Sequence, residues 1–169
     1  GIQNLTPGSY LHITDSGTTQ QQYWQLAEHV EENEDKGEQY YLDKLDELLH
    51  SSIKYRMISD VPFGAYLSGG VDSSLVTAIM SKYTDEPLKT YTIGFSEEGY
   101  NEFDFADTVA KIYNTDHKAI NIDVNDYFNT LNTLITYKDA PLAVPNEVPL
   151  YLMSKELKKD ITVVLSGEG

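Results

Sequence analysis

The sequence has no cysteine, few basic residues and no long hydrophobic run. Without cysteine, these residues cannot form a disulfide, a thiolate zinc site or a cysteine nucleophile. No apolar stretch approaches the roughly 18 to 20 residues that cross a bilayer, and the amino end lacks a basic and then apolar signal segment. We therefore expect a soluble, cytoplasmic protein without a membrane partner.

The charge balance is strongly acidic. The 12 lysines and arginines stand against 27 aspartates and glutamates, which gives a formal net charge of −15. Such a field repels phosphate backbones and anionic lipid surfaces rather than attracting them. We therefore expect no nucleic-acid partner.

Both ends of the 169-residue sequence suggest a piece of a longer protein, because it begins with glycine rather than methionine and stops directly after a predicted strand. Near the amino end, alternating side chains at residues 9–13 and 21–24, around a turn at 15–18, predict a β-hairpin. Acidic residues then crowd residues 28–38, which we interpret as a linker or solvated loop. A charged helix face is the alternative for this segment.

The remainder alternates between helix and strand patterns. Leu42, Leu45, Leu49, Ile53 and Met57 fall on one side of a helix that begins near residue 39, and this side is expected to face the core. Apolar runs predict strands at residues 63–67, 90–95, 118–122 and 161–165, and helical patterns occupy residues 73–83, 102–113, 124–137 and 147–158. Strands separated by helices form parallel sheets covered on both faces. The predicted fold class is α/β, with a doubly wound parallel sheet.

The loop after the first of these strands has the composition of an anion site. It reads Ser68-Gly69-Gly70-Val71-Asp72-Ser73-Ser74. Two adjacent glycines let the backbone approach an anion, and free amides with three hydroxyls at a helix start can cradle it. A carboxylate among such groups suits a Mg²⁺ ion shared with phosphate oxygens. The loop lacks the lysine of a P-loop and the Gly-x-Gly-x-x-Gly of a dinucleotide site. A tight turn with a serine N-cap is the alternative.

This loop resembles the SGG-x-DS loop of the ATP pyrophosphatases, which cleave ATP between the α and β phosphates to adenylate a substrate. Flanking segments are similar to one family among them, the synthetase domain of glutamine-dependent asparagine synthetase. The similar segments are residues 5–10, 23–24, 60–67, 92–95, 146–151 and 164–169. The resemblance implies an adenine nucleotide alpha-hydrolase-like fold. It also implies that residues 1–37 are the hairpin and acidic linker from the end of a glutaminase domain, and that residues 38–169 are the amino-terminal part of the ATP pyrophosphatase domain.

The resemblance further implies roles for individual residues. Asp72 would bind Mg²⁺ and act in catalysis, and Glu168 would steer or deprotonate the incoming ammonia. The pyrophosphate would lie on loop groups, and the adenine would contact mainly main-chain groups. The pyrophosphate positions are Ser68, Gly69, Gly70, Ser73 and Ser74, and the remaining nucleotide positions are Tyr66, Leu67, Ile93, Ser166 and Gly167. We expect the Ser68 loop and residues 166–169 to meet at one carboxyl edge of the sheet.

The implied reaction is the ATP-dependent amidation of aspartate through β-aspartyl-AMP. ATP and Mg²⁺ would take part, and the glutaminase domain of the full-length chain would supply ammonia from glutamine. A homodimer is a further alternative for the assembly of the full-length protein. The isolated segment is expected to be inactive, because it stops before the family's second metal ligand.

The sequence departs from the family at Asp139-Ala140-Pro141 and at Val144, where acidic residues are common. The acceptor therefore stays open, with a sugar acid, a β-amino acid or tRNA as alternatives. A nucleotide-binding module without catalysis is a further alternative.

Two residues that match types common in the family are interpreted structurally. Glu102 lies at a predicted helix start, where its charge favours the helix dipole and capping. His117 is interpreted as a structural residue at a strand edge. The other histidines show no spacing typical of a metal site.

Overall fold

The computed structural model describes residues 3–30, 35–96, 99, 101–138 and 140–167. The chain divides into two compact units, Gly1–Leu42 and Asp43–Gly169. Within the described residues, none of the helices combines the length and the hydropathy needed to cross a membrane.

The first unit contains the predicted hairpin. Strand β1 (Ser9–Thr14) pairs antiparallel with β2 (Gly17–Gln22). The second strand begins earlier than predicted, because the turn comprises only residues 15 and 16 and Gly17, with φ of 141°, starts the return strand. A short 3-10 helix covers Leu26–His29 and overlaps the start of the segment predicted as the linker. Residues 31–34 of that segment lie outside the described residues.

The second unit is built on a parallel sheet. Its strands are β3 (Phe63–Tyr66), β4 (Lys89–Phe95), β5 (Asp116–Ile122) and β6 (Val163–Leu165). Their order across the sheet is β5-β4-β3-β6, and each neighbouring pair is parallel. The predicted strands are therefore confirmed, with bounds shifted by up to two residues.

Helices cover both faces of this sheet. They are α1 (Glu38–Arg56), α2 (Val71–Ser81), α3 (Phe103–Ile112), α4 (Val124–Lys138) and α5 (Glu147–Leu157). On one face, Ile53 of α1 and Met80 of α2 pack with Ala65 and Leu165. On the other face, Met153 of α5 packs with Tyr91. The doubly wound α/β prediction is confirmed.

Helix α1 is less buried than its apolar spacing predicts. Ile53 is 4% exposed, whereas Leu42 and Leu45 are 51% and 54% exposed. A 19-residue helix is about 28 Å long, and the four-residue strand β3 is only about 13 Å long. The prediction that the whole apolar side faces the core is therefore wrong, and only the last turns pack on the sheet.

Candidate active site

The order of the strands creates a crevice at one edge of the sheet. From β3 the chain continues to β4 and β5 on one side, and it later returns to β6 on the other side of β3. Connections that leave in opposite directions open a crevice beyond the carboxyl ends of the strands, where α/β proteins bind ligands. The Ser68 loop follows β3, and Ser166 and Gly167 follow β6.

The two segments touch at this crevice, although about 100 residues separate them. A Cβ atom added to Gly167 would lie 2.5 Å from the carbonyl carbon of Asp72 and 2.7 Å from the amide nitrogen of Ser73. Only a residue without a side chain permits that approach. The expected juxtaposition is thus observed for Ser166 and Gly167, whereas Glu168 lies outside the described residues.

Hydroxyl groups determine the shape of the Ser68 loop. The Ser68 and Ser73 hydroxyl oxygens are 2.9 Å apart, the Ser73 hydroxyl donates to the Gly70 carbonyl at 3.2 Å, and the Ser68 hydroxyl accepts from the Gly70 amide at 3.2 Å. These two predicted binding hydroxyls are therefore engaged within the loop itself. The Ser74 hydroxyl is buried and has no hydrogen-bond partner among the described residues.

The loop also depends on Gly69, which adopts φ of 84°. A Cβ atom there would lie 2.4 Å from Cβ of Phe105 and 2.6 Å from the amide nitrogen of Ala106. The start of α3 therefore packs directly on the loop. The left-handed backbone and the close contact both require glycine.

The start of α2 is suited to a negatively charged ligand. Its N-cap residue, Gly70, provides no side-chain cap, and the amides of Val71, Asp72 and Ser73 have no acceptor within the helix. The helix dipole adds partial positive charge at this end. Asp72 lies in the same first turn and is exposed to solvent. The arrangement can bind an oxyanion together with a cation held by the carboxylate.

Two cavities flank this edge, and each is lined by some of the predicted residues, whereas Gly69, Gly70, Ser73 and Ser74 line neither. A cavity of about 380 Å³ is lined by Tyr66, Leu67, Ser68 and Ile93, and another of about 570 Å³ is lined by Asp72, Ser166 and Gly167. The predicted adenine positions are thus on both sides of the β3 end. No group of three or more metal-ligating side chains occurs among the residues that the structure describes. Asp72 is a carboxylate at this edge that could hold a Mg²⁺ ion together with ligand oxygens.

The cavities also contain residues that the sequence analysis did not assign to the site. Ser52 and Arg56, from the last turns of α1, line the larger cavity, and the Arg56 guanidinium donates to the Ser52 carbonyl at 3.1 Å. Arg56 is the single arginine of the chain. That rarity is the one feature of the sequence that could have marked Arg56 as a candidate site residue. Asn101 and Glu102 line the smaller cavity.

The structure confirms that Glu102 lies at a helix start, but it does not confirm the capping role. Glu102 is the N-cap residue of α3, but its side chain makes no capping hydrogen bond. The interpretation of His117 agrees with the structure. Its Nδ1 atom lies 2.9 Å from the Thr90 hydroxyl, and burial lowers the pKa of the imidazole.

Glu147 fixes the segment that carries the departures from the family. Its carboxylate accepts hydrogen bonds from the Ala143 amide at 3.1 Å and from the Lys138 ammonium, and these contacts lower its pKa. Val144 and Ala140 in this segment are exposed, and Asp139 lies outside the described residues. The segment positions the start of α5, whose Pro149 and Met153 line the smaller cavity.

A solved structure shares this fold. The NH3-dependent NAD synthetase from Campylobacter jejuni matches with a TM-score of 0.50 at 17% sequence identity, over 78% of this chain and 56% of that one. At this identity the likeness concerns the fold alone.

Two curated relatives align with nearly the full length of this chain. Asparagine synthetase [glutamine-hydrolyzing] 1 from Bacillus subtilis is 34% identical over 99% of the chain and 26% of its own length. Asparagine synthetase B [glutamine-hydrolyzing] from Escherichia coli K12 is 31% identical over 99% of the chain and 32% of its own length. The chain therefore spans about a quarter to a third of the length of these two relatives. Because the asparagine synthase family model matches residues 44–169, the chain belongs to the asparagine synthase family.

Proposed function

We propose that this chain is the ATP-binding part of a glutamine-hydrolysing asparagine synthetase. The observation that carries this proposal is the meeting of the Ser68 loop and Gly167 at the uncapped start of α2. A nucleotide that spans this edge can place its phosphates at the helix amides and its base between the strand ends.

The proposed reaction has two steps. First, the side-chain carboxylate of aspartate attacks the α-phosphorus of ATP, and pyrophosphate leaves to give β-aspartyl-AMP. Ammonia then attacks the acyl carbon, AMP leaves with the former carboxylate oxygen, and loss of a proton gives asparagine. Both partners of the first step are anionic, so their approach requires stabilisation of negative charge.

The residues of the site have distinct roles in this proposal. The amides of the loop and of the first turn of α2 bind the pyrophosphate, and the close packing of Gly69 and Gly167 holds them in place. Asp72 holds Mg²⁺, which when bound neutralises phosphate charge. Glu168, which follows Gly167 in sequence, steers or deprotonates ammonia.

The base is proposed to lie in the smaller cavity. Tyr66, Leu67 and Ile93 line that cavity beside Gly94, where a Cβ atom would lie 2.7 Å from Cζ of Phe103. Its volume of about 380 Å³ is within the range of small-molecule pockets. Ser166 and Gly167 complete the nucleotide site from the β6 side.

The proposal includes the remainder of the protein. Residues 1–37 would be the end of a glutaminase domain that supplies ammonia, and residues 38–169 would begin the synthetase domain. The support is that the relatives' names specify glutamine hydrolysis and that the chain covers only part of their length. The protein is proposed to act in the cytoplasm, with a homodimer as the open alternative to a monomer.

The test uses Asp72→Asn in the gene product that contains this sequence. We expect the variant to lose aspartate-dependent pyrophosphate release and to keep glutamine hydrolysis, because the substitution removes only the Mg²⁺ ligand. Asp104→Asn is the matched control, since Asp104 is also an exposed carboxylate in the first turn of a helix but lines neither cavity. Pyrophosphate release that survives in Asp72→Asn would contradict the role of Asp72.

The same assay distinguishes the acceptors. Val144 and Ala140 replace residues that are often acidic in the family, so the unmodified protein is incubated with ATP, glutamine and candidate acids while AMP is followed. AMP formed with a sugar acid or a β-amino acid but not with aspartate would replace aspartate as the substrate. ATP binding without AMP formation for any acid would indicate an inert nucleotide-binding module.

A further inference from the structure

Helix α5 begins without a side-chain cap from its own N-cap residue. Asn146 has a backbone that is already helical, with φ of −69° and ψ of −12°, and its side chain makes no capping hydrogen bond within the described part of the chain. An N-cap side chain normally reaches the first amides from an extended backbone. The Glu147 amide donates instead to the Val144 carbonyl at 3.3 Å. The position of this helix start therefore depends on side chains other than the N-cap.

The Glu147 carboxylate ties three groups to the start of α5. One oxygen accepts from the amides of Ala143 and Val144 at 3.1 and 3.4 Å, and the other accepts from the Lys138 ammonium at 2.5 Å. Lys138 is the last residue of α4, so the carboxylate joins the end of one helix to the start of the next. The Glu147 side chain is only 20% exposed. Its loss would leave two amides and an ammonium without this acceptor.

The start of α5 forms one wall of the smaller cavity. Val148 is fully buried, and Pro149 and Met153, about one helical turn apart, line the cavity. Further along the helix, the hydroxyl oxygens of Ser154 and Tyr66 are 2.9 Å apart, and Tyr66 lines the cavity from β3. A displacement of the first turn of α5 would therefore change the width of the cavity.

The anion-binding loop is held in a different way. The Ser68 and Ser73 hydroxyls bond each other and the Gly70 backbone, and α3 packs on the loop at Gly69. Among the described residues, no hydrogen bond joins this loop to residues 140–147. The α5 wall and the loop are therefore separately supported parts of one edge.

We propose that Glu147 is a positioning residue for the part of the nucleotide site that receives the base. Its carboxylate holds the first turn of α5, and with it Pro149 and Met153, at the cavity width that a bound base requires. Glu147 does not line the cavity itself and acts through the α5 wall. The inference rests on the proposed function in one respect, that the smaller cavity receives the base of ATP.

The test is calorimetric titration of the gene product that contains this sequence with ATP and with pyrophosphate, each with Mg²⁺. Glu147→Ala removes all three contacts and should bind ATP about three- to tenfold more weakly, a size typical of residues that act without touching the ligand. It should bind pyrophosphate as the unmodified protein does, because in the proposed site pyrophosphate contacts the Ser68 loop and not α5. Glu147→Gln keeps an acceptor oxygen for the two amides and should restore most of the ATP affinity.

Glu47→Ala is the matched control. It removes the ion pair between Glu47 and Lys44, whose charged atoms are 2.7 Å apart, and Glu47 lines neither cavity. Both affinities should stay unchanged in this variant. If Glu147→Ala does not fold, Lys138→Met gives the same comparison, because it removes one of the three contacts and keeps the carboxylate. The expected result is then a smaller loss that is again confined to ATP.

Two results overturn the inference. One is ATP affinity in Glu147→Ala, or in Lys138→Met if the first variant does not fold, that equals the affinity of the unmodified protein. The other is a loss of the same factor for ATP and pyrophosphate, which is the pattern of a general structural role.

The titration also separates this inference from the proposed function, since acceptor acids and glutamine are absent from it. A loss confined to ATP, in a protein that forms no asparagine, would support the inference and contradict the proposed function. Equal ATP affinity in Glu147→Ala, with asparagine formed by the unmodified protein, would overturn the inference alone. An unmodified protein that binds pyrophosphate but not ATP would contradict both.

Discussion

Gly167 and Gly70 differ in how much room a methyl group would have, although both lie at the candidate site. A Cβ atom on Gly167 would meet backbone atoms of Asp72 and Ser73 at 2.5–2.7 Å. A Cβ atom on Gly70 would meet only the Ser68 hydroxyl at 3.3 Å, and its φ of −68° is open to any residue. The two positions therefore form a matched pair.

We expect Gly167→Ala to lower the free energy of unfolding by about 1–3 kcal/mol, because the backbone of the loop has to move. Gly70→Ala should cost clearly less, since a contact at 3.3 Å requires the Ser68 hydroxyl to shift only slightly. Chemical denaturation of both variants measures the difference. Equal destabilisation would show that the β6 end and the loop are not packed as described.

The sequence predicted the Ser68 loop because its residues are adjacent in the chain. The same local reading could not find Arg56 or assign Glu102. Arg56 reaches the site only because α1 ends beside β6. Glu102 lines the smaller cavity and does not cap its own helix, and no spacing rule distinguishes that arrangement from a capping N-cap residue.

Among the helices, α5 is connected to the edge strand β5 by charge. The Glu156 carboxylate accepts from the Lys118 ammonium at 2.6 Å and from the Lys159 ammonium at 2.5 Å. Hydrogen bonds to the two ammonium groups lower the pKa of Glu156 from 4.5 to about 2. The pairs are at the surface, so their contribution to stability is small.

This shift predicts a pH dependence. Because the folded pKa is lower than the unfolded one, the ion pairs stabilise the protein fully above about pH 4.5 and lose their effect as the pH falls toward about 2. Glu156→Gln should therefore lower the melting temperature at neutral pH, and the difference from the unmodified protein should shrink below about pH 4.5. Glu86→Gln, at an exposed glutamate without an ion pair among the described residues, is the control. A difference that stays constant down to about pH 3 would contradict this.

The order of helices and strands could be predicted from the sequence. The extent to which the apolar side of α1 is buried could not. Apolar periodicity located α1 within a residue or two, but it could not show that the sheet beneath it is only four residues long at β3. Similarly, parallel strands were predictable from the intervening helices. The placement of β6 next to β3 depends on packing between distant segments, and the family resemblance supplied the expectation that their ends meet.

The chain as a whole combines a strongly negative net charge with a proposed anion site. Its net charge of −15 would oppose the approach of ATP from a distance, so in the proposed function the local amides and a Mg²⁺ ion would have to provide the attraction. The chain also covers less than a third of the length of the relatives reported above. The proposed reaction is therefore best tested on the complete gene product. The test follows labelled atoms from substrate to product and does not depend on the reaction rate.

The most direct measurement is the transfer of ¹⁸O from aspartate. Aspartate labelled with ¹⁸O in its side-chain carboxylate is incubated with ATP, Mg²⁺ and glutamine, and the products are analysed by mass spectrometry. Attack of the carboxylate on the α-phosphorus predicts one ¹⁸O atom in AMP and none in pyrophosphate. Formation of ADP with ¹⁸O in inorganic phosphate, or of AMP without label, would contradict adenylation of aspartate at this site.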